Sequence, residues 1–410
     1  MIRFYVDDLK EGLMIALGAI RANKMRSALT TLGIVIGIVS VTLMGTAIEG
    51  LDRAFNKSIA VIGADVLYVQ KWPWGGGGNW WEIRNRKDLL IQHAKAIEED
   101  ATTVASVSPV MGTGRSVKYS GKVIDNVVVF GTDADFIETT KANVGLGRFM
   151  TSMESEGGRP VCVIGSEVAE SLFPNEYPIG KTIKVGNYPY RVVGVLEKQG
   201  SFLGIQSFDN RVYVPITRFF SEFMSRRHGI SIWVRAESLE SVDETKEELR
   251  GILRRVRKVE PREADDFAIN QQEILIQTFN QIGGVIAAVG LFITGLALFV
   301  GGIGIMNIMF VSVTERTKEI GLRKAIGAPN RSILMQFLLE SAVICLLGGI
   351  VGVVIAFPLS LIIDQILPTA MPVSIVIVAL LISVFVGVVS GFLPAYRASR
   401  MDPVDALRYE

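Results

Sequence analysis

What most constrains this chain is where its positive charges are missing. Four long apolar stretches, residues 28–48, 282–313, 332–363 and 373–396, contain no Lys or Arg. As helices they are long enough to cross the ~30 Å hydrocarbon core of a bilayer. The segments between them alternate. Residues 1–27 carry Arg3, Lys10, Arg21, Lys24 and Arg26, residues 314–331 carry Arg316, Lys318, Arg323, Lys324 and Arg331, and the tail carries Arg397, Arg400 and Arg408. The short segment 364–372 carries no basic residue. Basic loops are retained in the cytoplasm, which predicts cytoplasmic termini, a cytoplasmic 314–331 loop and an external 364–372 loop. By the same threading, residues 51–273 form one large external domain.

Composition fits a membrane protein with a substantial aqueous part. Mean hydropathy is +0.38, yet 20% of residues are charged. Residues 51–273 hold 29 basic and 30 acidic side chains, a balance that argues against nucleic acid as the partner of this domain. Cys162 falls in the external domain and Cys345 in the third apolar stretch, so the two are not expected to form a disulfide, and each reads as packing.

The first apolar stretch is too long for a signal-peptide core, although Gly45-Thr46-Ala47 loosely fits a cleavage site, and it is read as an uncleaved span. Before it, Leu9, Leu13, Leu17 and Ile20 recur at helical spacing, as in an amphipathic helix lying on the membrane surface. Residues 274–314 hold no ionisable side chain. A helix of that length spans about 60 Å, so its outer part is expected to project as a stalk. Gly33/Gly37, Gly348/Gly352 and Gly387/Gly391 form G-x-x-x-G pairs, which favour helix bundling or dimerisation. Pro358 is expected to kink the third helix and Pro394 to help end the fourth. Glu340, a carboxylate inside a spanning stretch, is expected to snorkel or pair near the cytoplasmic face, with a proton-relay role as the alternative.

The external domain reads as mixed α/β. Residues 104–107, 127–130, 161–164, 191–195, 212–214 and 230–234 are apolar, β-branched runs expected as strands. Segments 89–99, 166–173 and 238–257 are expected helices. Trp72, Trp74, Trp80 and Trp81 crowd a Gly-rich segment expected to be a mobile loop for a partner or substrate, or a loop with incidental packing. The only histidines, His93 and His228, lie far apart in sequence with no metal-site spacing. Gly180-Lys181-Thr182 resembles the end of a phosphate-binding loop, but Asn175 stands where its first Gly belongs. No catalytic, metal or cofactor site is expected in this chain.

Thr314-Glu-Arg-Thr-Lys-Glu-Ile-Gly-Leu-Arg-Lys-Ala-Ile-Gly-Ala328, followed by Gln336-Phe-Leu-Leu-Glu340, resembles the signature of MacB-type ABC transporter permeases, the superfamily that includes LolC/LolE and FtsX. The resemblance continues at Pro394-Ala-Tyr-Arg-Ala-Ser-Arg400, Asp402-Pro-Val-Asp-Ala-Leu-Arg408, Phe173-Pro-Asn-Glu-Tyr-Pro-Ile-Gly-Lys-Thr182 and Tyr190-Arg-Val-Val-Gly-Val195. It implies an α-helical membrane protein with four transmembrane helices plus a large mixed α/β extracytoplasmic domain with porter and Sabre-like lobes. The expected order is a cytoplasmic amphipathic helix 1–27, a first span 28–50 and the periplasmic domain 51–273, with porter-like 51–111 and 211–273 flanking Sabre-like 112–210. A stalk and second span 274–313, a coupling loop 314–331, spans 332–363 and 373–396 around the external 364–372, and a tail 397–410 complete it.

The resemblance further implies a homodimer in the bacterial inner membrane, driven by two ABC ATP-binding subunits that hold the ATP and Mg. Because only 27 residues precede the first span, the chain is expected to be the permease half of a split system. The loop residues Glu315, Arg316, Lys318, Glu319, Arg323 and Lys324 supply both signs of charge, and Ile320, Leu322 and Ile326 supply apolar anchors for ATPase docking. The alternative is a solvated helix held by pairs such as Glu319 with Arg323. The leading functional expectation is mechanotransmission that extrudes an amphipathic antibiotic, peptide, toxin or lipid, with a periplasmic adaptor and a TolC-like duct. Lipoprotein release in the manner of LolC/LolE, or FtsX-like control of a cell-wall hydrolase, are the alternatives.

Overall fold

The computed structural model describes residues 24–59, 63–76, 79–202, 206–223, 229–364 and 371–408. The predicted amphipathic helix ahead of residue 24, His228 and most of the 364–372 loop lie outside the described residues. The chain divides into two compact units, one formed by residues up to Arg53 and from Ile282 onward, the other by Ala54–Gln281.

The first unit is built on the four apolar stretches. They form helices Lys24–Ile59, Gln272–Glu315, Asn330–Asp364 and Val373–Ser399, each long and apolar enough to cross a membrane. A helix satisfies its own backbone polar groups, as lipid requires. Ile34, Ile38, Leu298, Ile305, Met309, Phe337, Ile344 and Ala395 form its buried core. Leu291, Phe292, Phe299, Leu381 and Phe385 are exposed on its outside. Apolar residues both inside and out suit a bundle in lipid and would be costly in water.

The glycine pairs are used inside this bundle. A Cβ on Gly33 would lie 2.9 Å from the Cα of Gly301, and one on Gly37 would lie 2.6 Å from Leu298 Cδ2. Gly352 packs against Ile38 and Val35, Gly387 against Ser341, Ala342 and Cys345, and Gly391 against Ser341. Gly348 is buried. The close approaches are therefore made between helices of one chain. Pro394 does not end the fourth helix, which continues through it to Ser399. Proline removes one N–H, and a long helix packed on its neighbours tolerates the loss. Pro358 likewise lies within its helix.

The second unit centres on a sheet. Its strands are β1 Val66–Gln70, β2 Val104–Tyr119, β3 Lys122–Thr132, β4 Val144–Gly147, β5 Val161–Ile164, β6 Thr182–Val185, β7 Tyr188–Leu196, β8 Ser201–Phe202, β9 Gln206–Ser207, β10 Arg211–Pro215, β11 Ser231–Ala236 and β12 Ala268–Asn270. The order is β12-β1-β11-β2-β3-β10-β5-β7-β4, with β6 bridging β2 and β7 and a separate β8-β9 hairpin. The long β2 serves two layers: Val104 to Val110 pair with β11, and Met111 to Tyr119 pair with β3. Arg211–Pro215 runs parallel to β3 in register Arg211↔Val128 and antiparallel to β5, so it belongs to the β3 layer.

Helix Val242–Arg257 buries Leu249, Ile252 and Leu253 against the same core that takes Ile97 from helix Ile91–Asp100 and Leu67, Val69, Ile232 and Val234 from the strands. This is what its apolar spacing predicts. Arg257 is buried at the end of that helix, where Nε and Nη2 donate to the two carboxylate oxygens of Asp266 at 2.7 and 2.6 Å.

Candidate functional site

The loop after the second membrane helix folds as a short helix, Thr317–Ala325, with Arg316 at its N-cap. Glu319 lies in its first turn, and Arg323 and Lys324 in its last. That order complements the helix dipole. The helix stops where Gly327 adopts φ +100, a conformation that glycine reaches without strain, and the Gly327 and Ala328 amides donate back to Lys324 and Arg323 carbonyls.

The nine loop residues singled out from sequence divide into inward and outward groups. Ile320 is 3% exposed and belongs to the core of the bundle, so its role as a surface anchor is corrected: it faces inward and seats the helix. Thr317 and Gly321 are buried beside it. Arg316 Nη1 donates to Glu340 Oε2 at 3.2 Å. The carboxylate expected to pair near the end of its span therefore does pair, and it is buried at 2% exposure. Arg323 donates to Glu319 Oε1 at 2.7 Å and to Gln336 Oε1 at 2.6 Å. Lys324 Nζ donates to the Met401 carbonyl at 2.7 Å. The outward group is Glu315, Lys318, Glu319, Leu322 and Ile326, with Leu322 and Ile326 exposed at 55% and 80%.

A further element joins this surface. The segment treated from sequence as a tail forms helix Pro403–Arg408, its start capped by the Val404 amide donating to Asp402 Oδ1 at 2.8 Å. A Cβ on Gly321 would lie 2.7 Å from Ala406 Cβ, so the two short helices touch across that glycine. Val404 and Leu407 stay exposed. The result is a platform from two helices with apolar side chains outermost and charges around them. The Ala406-Leu407 pair opposite a Gly in the loop was the available sequence signal, but only a fold can bring positions 321 and 406 together.

The tryptophans do not behave as one loop. Trp74 is held: its Nε1 donates to Gln70 Oε1 at 3.0 Å, its amide donates to Asn270 Oδ1 at 2.9 Å, and its ring lies 4.8 Å from that of Tyr68. Asn270 Nδ2 also donates to the Trp72 carbonyl at 2.9 Å. Trp80 and Trp81 open a helix, Trp80–Asn85, capped by Asn79. The mobile-loop expectation is thus corrected for these positions, because hydrogen bonds and a cap fix them. Trp72, Trp80 and Trp81 remain exposed, and the Arg84 guanidinium lies 5.1 Å from the Trp80 ring centre.

In the membrane-spanning unit, a groove of about 330 Å³ is lined by Ser40, Met44, Val285, Ile286, Val289, Gly290, Ile293 and Thr294. Its walls are almost wholly apolar.

Comparison with known proteins gives these features a family. A crystal structure of the periplasmic region of MacB from Actinobacillus actinomycetemcomitans superposes with a TM-score of 0.43 at 21% identity, covering 54% of this chain and 95% of that one. The macrolide export ATP-binding/permease protein MacB of Bdellovibrio bacteriovorus is 32% identical over 412 residues, covering 100% of this chain and 62% of its own length. The protein of the same description from Rhodopirellula baltica is 34% identical over 431 residues, covering 97% of this chain and 62% of its own length. This chain thus spans about 62% of these curated relatives. Residues 27–252 match the MacB-like periplasmic core domain and residues 291–403 the FtsX-like permease C-terminal domain. With both matches in this order, the chain belongs to the MacB-like family of ABC transporter permeases and is a multi-pass membrane protein.

Proposed function

We propose that this chain is the membrane part of an ABC exporter in the bacterial inner membrane, with both termini and the 314–331 loop in the cytoplasm. ATP is hydrolysed by two copies of an ABC ATP-binding unit, which hold the ATP and Mg; the membrane chain itself is non-catalytic. The observation that carries this reading is the two-helix platform, where Leu322 and Ile326 are exposed while Ile320 and the Arg316–Glu340 pair anchor the helix beneath them. Exposed apolar anchors ringed by charge are the composition of a docking surface.

The exporter works as a homodimer by mechanotransmission: closure of the ATP-binding units displaces the platform, and the long helices Lys24–Ile59 and Gln272–Glu315 carry the motion to the external domain. Both are unbroken over 36 and 44 residues, as such transmission needs. The cargo is an amphipathic molecule taken from the outer side of the membrane, such as a macrolide-like antibiotic, peptide, toxin or lipid. The relatives' description as macrolide exporters and the apolar groove both favour an apolar cargo. A periplasmic adaptor and a TolC-like outer-membrane duct complete the pathway.

The test is ATP hydrolysis by the ABC ATP-binding unit with this chain in lipid nanodiscs, compared with Leu322→Asp and Ile326→Asp. Stimulation that the wild-type chain produces and both variants lose is the expected result. Undiminished stimulation in both variants overturns the docking assignment.

A further inference from the structure

We propose that Arg316 and Glu340 form a two-position latch that passes displacement of helix Thr317–Ala325 into the third membrane helix, an inference that rests on the docking function proposed above. Arg316 sits at the junction between the second membrane helix and the short helix. Glu340 lies on the third membrane helix and is 2% exposed. A carboxylate so buried is costly unless its oxygens are satisfied. Here the pair makes one contact, Nη1 to Oε2 at 3.2 Å, and Oε1 has no hydrogen-bond partner among the described residues. Charge-assisted contacts reach about 2.7–2.9 Å, and guanidinium with carboxylate tends to bond through both nitrogens. The pair is therefore short of its best geometry in this arrangement. A small shift of the short helix that brings a second guanidinium nitrogen to Oε1 gives a second, tighter arrangement, and packed elements with two discrete arrangements transmit small displacements.

The surrounding contacts give the latch a direction. Arg323 donates to Gln336 Oε1 at 2.6 Å, and Gln336 and Glu340 are four residues apart on one face of the third helix. Basic residues from both ends of the short helix thus grip one stripe of that helix. Lys324 meanwhile holds the Met401 carbonyl, beyond the fourth membrane helix. The short helix cannot move far without moving these neighbours. Arg316 and Glu340 act as positioning residues: they face inward, away from Leu322 and Ile326.

The experiment uses the full chain in nanodiscs with the ABC ATP-binding unit, and reads hydrogen exchange in the third helix with and without a non-hydrolysable ATP analogue. The variants are Glu340→Gln, the apolar pair Arg316→Met with Glu340→Met, and the charge swap Arg316→Glu with Glu340→Arg. Replacing a buried ion pair by apolar residues is compatible with stability, so the Met pair separates signalling from folding. With the ATP-binding unit in saturating excess, we expect the ATP-dependent change to be lost in Glu340→Gln and in the Met pair and restored in the swap. Retention of the change in a folded Met pair overturns the latch, as does a folded swap that fails to restore it. A second reading needs no partner: in the chain alone, Glu340→Gln should raise exchange in residues 317–325 about tenfold, reversed by the swap. If the wild-type chain binds no ATP-binding unit, the docking function fails, while exchange in the chain alone still decides the latch; no change there overturns it.

Discussion

Gly33 and Gly301 meet backbone to backbone, since a Cβ added to Gly33 would fall 2.9 Å from the Cα of Gly301 and one added to Gly301 would fall 2.9 Å from the Ile34 nitrogen. No side chain can yield to make that space. Gly33→Val should therefore force the first two membrane helices apart and cost about 1–3 kcal/mol, the usual penalty for overpacking. Gly284→Ala, at a position open to space, serves as the control. Thermal unfolding in nanodiscs tests the pair, and equal midpoints would show that the approach is not tight.

Ile320 and Ile326 lie about 1.7 helical turns apart and should behave oppositely. Ile320→Ala removes a buried side chain and should lower stability by about 2–5 kcal/mol. Ile326→Asp, at a position 80% exposed, should leave the thermal midpoint within about 0.5 kcal/mol of wild type while abolishing ATPase stimulation. Unfolding curves and hydrolysis rates on the same preparations check both. A stable, uncoupled Ile320→Ala would reverse the assignment of inner and outer faces.

Asp133 should make the external domain more stable as pH falls toward 6. Burial pushes its carboxyl up to about 7 from an ordinary value of 3.8, although Ser108 Oγ donates to it at 2.6 Å. A carboxyl with a raised folded pKa binds its proton more tightly in the native state, so its penalty is full above about pH 7 and is relieved as pH drops toward 4. Glu154 acts in the other direction and in another window. The Arg148 guanidinium, bonded at 2.7 Å, holds it down at about 2, so its contribution is complete above its unfolded value of 4.5 and lost as pH falls toward 2. Between pH 8 and 6, then, Asp133→Asn should flatten the pH dependence of the midpoint and Glu154→Gln should leave its slope unchanged. An unaltered slope in Asp133→Asn would contradict the assignment.

Trp74 and Trp81 separate packing from display. Trp74→Ala loses the ring contact with Tyr68 and the bond to Gln70 and should cost about 1–3 kcal/mol, whereas Trp81→Ala, whose ring is largely exposed, should change the midpoint little. Tryptophan fluorescence during unfolding distinguishes them, and equal losses would mean that the exposed ring is also structural.

Much of the membrane half was legible in one dimension. Absence of charge over tens of residues leaves a chain few options but helices in lipid, because backbone groups there must be paired within the segment. The external strands were legible wherever β-branched residues ran together, as at Val161–Ile164, and the helix Val242–Arg257 through its apolar spacing. Lengths were not. β2 extends from Val104 to Tyr119 because it exchanges β11 for β3 as its partner midway, and pairing partners leave no local mark. Nor does sequence say which glycine pair faces a neighbour in the same chain and which faces outward.

The candidate site shows the same division. Its residue types and charge pattern marked the 314–331 loop, and the Glu319–Arg323 pair follows from helical spacing alone. Only the tertiary structure decided that Ile320 points inward while Leu322 and Ile326 point out, that Glu340 takes Arg316 as its partner, and that Ala406 closes over Gly321. Burial and pairing depend on which distant segment arrives alongside, whereas lipid solubility and helical period are properties of a segment by itself.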